Sequence, residues 1–80
     1  MLLDIQQIET QLCQLVESIV LTRVEPDTLL IESGYVDSLA AVDIAVAVES
    51  TFGVKIPAPE IDTYLESVQT LAAYIAQQRT

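Results

Sequence analysis

Along the first quarter of the chain, Ile5, Ile8, Leu12, Leu15, Val16 and Ile19 recur at spacings of three and four, which aligns them on one face of a helix of about five turns. Gln6, Gln7, Thr10, Gln14 and Glu17 fill the opposite face, as on a surface helix packed on one side only. Over residues 22–36 the period is lost and Pro26 and Gly34 enter, so this stretch reads as a long connection. Val24, Leu29, Leu30 and Ile31 are apolar enough to fold it back over a core. A second helix opens at Asp37 or Ser38, because either side chain accepts a hydrogen bond from a first-turn amide; it ends at Phe52, with Gly53 as its left-handed cap. Residues 54–59 form a short connection with Ile56 turned inward. Pro59 suits the first position of a one- or two-turn helix over residues 60–65, and Ser67 caps a last helix marked by Val68, Leu71, Ala72 and Ile75. The pattern predicts an all-α fold: a small four-helix bundle, three main helices and one short one, with the long loop between helices one and two.

The second helix is apolar on two sides. At about 100° per residue, Ala41, Ile44, Ala45, Val48 and Phe52 share one face, the obvious core side. Leu39, Val42 and Val46 form a second stripe, bordered by Asp43, Glu49 and Ser50. A thin bundle does not readily bury both stripes. An exposed apolar strip rimmed by acids has the character of a protein-docking surface. Coverage by the long loop is the other possibility, and a helix wheel alone does not decide between them.

Composition narrows the classes. Eighty residues suffice for one domain, expected to span 1–80, and are too few for two. With 51% hydrophobic residues but one Phe, three Tyr and no Trp, the core must come from Leu, Ile, Val and Ala. Two Gly and three Pro leave little for the frequent turns of an all-β domain. The net charge of -9 repels phosphate backbones and anionic headgroups, so neither nucleic acid nor an anionic membrane surface is an expected partner. The same charge steers the domain towards basic patches on other proteins, or serves solubility alone. Cys13 has no partner for an internal disulfide, and with no His there is no metal-ligand cluster. Lying beside the apolar stripe of helix one, Cys13 reads as a small, partly buried hydrophobe. No signal-peptide pattern and no membrane-length apolar run is visible, so the expected location is the cytoplasm.

Ser38 places a hydroxyl at the start of helix two, where backbone amides and the helix dipole favour a phosphodiester. As a catalytic nucleophile it lacks a His, a convincing Lys base or a Gly-rich oxyanion loop. Taken alone, the Asp37-Ser38-Leu39 triplet is better explained by helix capping.

The wider context is more specific. Leu30-Ile31-Glu32-Ser33-Gly34-Tyr35-Val36-Asp37-Ser38-Leu39, followed by Val42, Asp43 and Val46, then Glu49-Ser50-Thr51-Phe52-Gly53-Val54-Lys55-Ile56-Pro57 and Ser67-Val68-Gln69-Thr70-Leu71, resembles the acyl and peptidyl carrier protein family over nearly the whole chain. Helix one matches only in length and pattern. The resemblance implies that Ser38 receives 4'-phosphopantetheine from coenzyme A through a separate magnesium-dependent phosphopantetheinyl transferase. It implies that Asp37 is the family's acidic helix-start residue and a contact for that transferase. Leu39, Val42 and Val46 coincide with apolar docking positions, and Asp43 and Glu49 with acidic ones. A carrier so built needs no catalytic group: a thioester on the arm keeps cargo activated, and the tether raises its effective concentration at a docked partner.

Two departures bear on cargo. The second helix is less acidic than is usual for fatty-acid carriers, and residues 32–38 look closer to stand-alone aminoacyl, peptidyl or D-alanyl carriers. The expected protein is a discrete, monomeric carrier, with an excised domain of a larger synthase as the other possibility. It would be loaded by an adenylation enzyme, a ligase or an acyltransferase and unloaded by condensing or transfer enzymes. A fatty-acid or polyketide-type acyl carrier and a non-covalent helical adaptor that uses the same stripe are the alternatives.

Overall fold

The computed structural model describes residues 4–78. Four α-helices follow one another, α1 (Ile5–Val20), α2 (Ser38–Phe52), α3 (Ile61–Tyr64) and α4 (Val68–Gln78), with a 3-10 turn at Ala58–Glu60 leading into α3. The predicted all-α bundle, with one short helix and a long first loop, is the observed architecture.

Helix α1 begins at a reciprocal cap. The Gln7 amide donates to Asp4 Oδ1 at 2.8 Å, and the Asp4 amide donates to Gln7 Oε1 at 3.2 Å. Ile8, Leu12 and Val16 are buried at a spacing of four, while Leu15 and Ile19 are half-buried beside them. Ile5 is exposed, against expectation: periodicity fixes the angle of a side chain about the helix axis but not how far neighbouring elements reach along it. The helix stops at Leu21, whose φ of 61° is left-handed and whose amide donates to the Glu17 carbonyl.

The long connection is held by hydrogen bonds to distant backbone. The amide of Val24 donates to Glu17 Oε2 at 3.0 Å, that of Gln69 to the Pro26 carbonyl at 2.9 Å, and that of Leu30 to the Glu66 carbonyl at 2.9 Å. Glu17, assigned by pattern to the solvent face, thereby serves as an acceptor for the loop and is half-buried. Of the four apolar residues expected to fold inward, Val24 and Leu30 do, but Leu29 and Ile31 are exposed. Residues 29–34 make a tight turn, in which Ser33 donates to the Leu29 carbonyl and Gly34 to that of Ile31, so successive side chains diverge and only Leu30 faces the core. Val36, not singled out by pattern, takes a third inward position just before α2.

The helix caps fall where the sequence put them. Gly53 has a φ of 72° and closes α2 by donating to Glu49. The Thr70 amide donates to Ser67 Oγ at 3.1 Å at the head of α4. Pro59 sits within the 3-10 turn, two residues before the short helix it was expected to open. Buried side chains from α1, α2 and α4, together with Val24, Leu30, Val36, Val54, Ile56 and Leu65 of the connections, share a single hydrophobic cluster, and Ile61 and Tyr64 of α3 pack against it. Burying each large aliphatic side chain there contributes about 1.5–3 kcal/mol, which the chain's conformational entropy largely offsets.

Candidate functional site

Asp37 stands at the N-cap of α2 with extended backbone, and its Oδ1 accepts from the Ala40 amide at 2.8 Å. The first intrahelical bond runs from the Ala41 amide to the Asp37 carbonyl at 2.9 Å. Ser38 is therefore the first residue of the helix, and its side chain is exposed. Helix geometry gives the amides of Ser38 and Leu39 no intrahelical acceptor, so an anion on the Ser38 oxygen meets the positive end of the helix. Asp37 caps and Ser38 presents; the two candidate residues divide the roles that the sequence left open between them.

The two apolar faces of α2 are resolved with equal clarity. Ala41, Ile44, Val48 and Phe52 are buried, and Ala45 is half-buried against them. Leu39, Val42 and Val46 remain 75%, 51% and 63% exposed, so the long loop does not cover them. Asp43 and Glu49 are exposed as well, and α2 contains no basic residue. The helix thus offers solvent an apolar strip with an acidic margin, starting one residue from the Ser38 hydroxyl.

Ser38 also forms the lip of an open cleft of about 380 Å³. Ile31, Val36 and Ala41 supply apolar walls, and Asp62 of α3 lines it along with Asp37. Asp62 was not singled out from the sequence. Its place at the cleft is a tertiary contact between elements far apart in the chain, for which no local pattern exists.

A second cleft, of about 270 Å³, includes Cys13 with Glu9, Glu17 and Glu25 among its lining. Burial raises the Cys13 pKa above its ordinary 9.0, and the nearby charges of Glu17, Glu25 and Glu9 raise it further. The thiol stays protonated at neutral pH and is a poor nucleophile, in keeping with its expected packing role.

A helical bundle with an exposed serine at the head of its second helix and an unpartnered acidic-edged strip beside it has the architecture of a carrier domain. Residues 7–75 match the family described as "Phosphopantetheine attachment site", and the chain belongs to that family. It is 35% identical, over 75 residues covering 88% of this chain and 79% of the relative, to an acyl carrier protein of Rhodococcus erythropolis. No solved structure matches the chain. Proteins of this family are carriers and not catalysts, and their cofactor is covalent 4'-phosphopantetheine. The residues at the head of α2 are compatible with that group: Ser38 is exposed in the first turn, where helix geometry leaves amides without intrahelical acceptors that suit a phosphate. No described helix is long and apolar enough to cross a membrane.

Proposed function

We propose that Ser38 is the attachment point of the arm and that the chain carries an activated aminoacyl, peptidyl or acyl group to partner enzymes in the cytoplasm. The observation that carries this reading is the exposed Ser38 side chain in the first turn of a capped helix, inside the matched family region. When attached, the arm supplies a terminal thiol that holds cargo as a thioester. The protein's own part is to expose the hydroxyl, to place helix amides where the phosphate forms, and to offer a surface that enzymes can grip. Leu39, Val42 and Val46 would supply the apolar contact, with Asp43 and Glu49 pairing with basic groups on the transferase and on loading and unloading enzymes. Asp37 orders the helix start and adds an acidic contact for the transferase. On this reading residues 1–80 make up one carrier domain, which acts as a monomer.

Incubation with coenzyme A, magnesium and a broad-specificity phosphopantetheinyl transferase should add one arm to the wild type and none to Ser38→Ala, read by intact mass. An unmodified but folded wild type, with the transferase active on a control carrier, would remove the assignment. Modification of Ser38→Ala would move it to another residue.

For cargo, the run at residues 32–38 and the sparse acids of α2 support an aminoacyl or peptidyl group. Similarity to the Rhodococcus acyl carrier protein supports an acyl group instead. Supplying the arm-bearing protein to an amino-acid-activating enzyme and to a malonyl or acyl transferase from the same host separates the two, by which one yields a thioester. An adaptor without covalent cargo is distinguished by full partner activity in Ser38→Ala.

A further inference from the structure

Helix α3 does not hold itself. It has four residues and no side-chain cap, and a single helical turn is unstable alone because its nucleus fixes several dihedrals for each hydrogen bond gained. The Leu65 amide closes the turn by donating to the Ile61 carbonyl at 2.9 Å, which attaches it to nothing outside itself. Yet Asp62 of this turn lines the cleft beside Ser38. The wall there is therefore placed by tertiary contacts.

At about 100° per residue, the Asp62 and Tyr64 side chains leave the turn on roughly opposite sides. Asp62 is exposed at the cleft, whereas Tyr64 is half-buried and stacks on Tyr74 of α4, with ring centroids 4.0 Å apart and planes at 25°. Tyr74 is anchored in turn: its hydroxyl donates to the Lys55 carbonyl at 3.0 Å. Lys55 lies between the buried Val54 and Ile56, so that acceptor is fixed by the core. Leu65, fully buried, and Ile61, half-buried against the core cluster, seat the two ends of the turn.

We infer that Tyr64 and Tyr74 form a clasp on the back of α3 that positions the Asp62 wall beside Ser38, and that α3 with its leading 3-10 turn opens as a unit of its own when the clasp is released. Neither tyrosine lines the cleft, so both are positioning residues that act through the helix. The clasp belongs to the unmodified chain and does not depend on attachment at Ser38.

Native-state hydrogen exchange on the unmodified protein, followed by NMR over a range of urea concentrations, tests this. In the wild type the Ile61 and Leu65 amides, which donate to the Ala58 and Ile61 carbonyls, should exchange through an opening with a shallow urea dependence, whereas Leu12 and Ile44 inside α1 and α2 should show the steep dependence of global unfolding. In Tyr64→Ala the Ile61 and Leu65 amides should exchange about tenfold faster, the scale of a lost aromatic pair, and Tyr64→Phe should restore the wild-type rate. Tyr74→Phe keeps the stack but loses the anchor, and should speed the same amides about fivefold. The Asp62 and Ser38 amide shifts should move in Tyr64→Ala and return in Tyr64→Phe. Ile61 and Leu65 amides that share the urea dependence of Leu12 and Ile44 overturn the separate unit. Unchanged rates in Tyr64→Ala, or equal acceleration in Tyr64→Phe, overturn the clasp, and an unmoved Ser38 shift overturns its reach to the cleft. Should Tyr64→Ala lose its fold, the wild-type urea dependence and the Tyr74→Phe rates decide.

Discussion

The carboxylate of Asp37 accepts the Ala40 amide at 2.8 Å, and that contact sets the first residue of α2 at Ser38. Removing the acceptor leaves a first-turn amide to water alone. Asp37→Ala should therefore lose about 1 kcal/mol of stability, with Asp37→Asn retaining most of it, as both residues cap well. Urea denaturation of the three proteins checks this; equal midpoints would show that the cap contributes nothing.

The exposed strip and the buried face of α2 lie on one helix and should respond oppositely to substitution. Val46→Asp, at a residue 63% exposed, should change stability by no more than about 0.5 kcal/mol. It should also slow modification by the transferase if the strip is where that enzyme docks. Ile44→Ala, at a fully buried residue, should cost about 2–5 kcal/mol. Thermal melts with a transferase rate assay separate the two effects. Global unfolding by Val46→Asp would place position 46 in the core.

Leu21 ends α1 with a left-handed backbone while its side chain is 86% exposed, so it bears conformational strain with little burial in return. A left-handed conformation costs an L-residue about 1–2 kcal/mol, and glycine escapes this while gaining freedom in the unfolded chain. Leu21→Gly should accordingly stabilise the fold by about 0.5–1 kcal/mol. A lower melting temperature for the variant would mean that the leucine makes up its strain through contacts.

Cys13 titrates above its ordinary 9.0 because burial and the acids Glu17, Glu25 and Glu9 disfavour the thiolate. Its alkylation by iodoacetamide in native protein should be slower than that of a free cysteine at pH 8, and its rate should reach half-maximum above pH 9.0. Glu25→Gln should move that midpoint down, since it removes one repelling charge. The folded state holds this proton more tightly than the unfolded state, so the linked stability is complete below the unfolded pKa and is lost as pH rises through the folded one. Alkylation at the free-cysteine rate would contradict the burial.

Much of the fold was legible in the chain because the deciding interactions are local. The apolar spacing of Ile8, Leu12 and Val16 specifies a helix face, Asp37 and Ser67 are caps within three residues of the amides they bind, and Gly53 answers a left-handed requirement at a helix end. The candidate serine was legible too, from its neighbours in the run around it. Leu21 was harder to read, since no residue preference points a leucine towards positive φ.

Sequence by itself determined a helical bundle with a hydroxyl at the head of its second helix, because capping and periodicity act between residues a few positions apart; the carrier type came from the resemblance of the run around Ser38 to a known family. Only the tertiary structure decided that Leu39, Val42 and Val46 stay in solvent, that Leu30 and Val36 rather than Leu29 and Ile31 close the loop onto the core, and that Asp62 comes to line the cleft at Ser38. Each of these depends on what stands opposite a residue in space, and the hydrophobic effect that selects among such arrangements is non-directional: it favours burial without naming the partner.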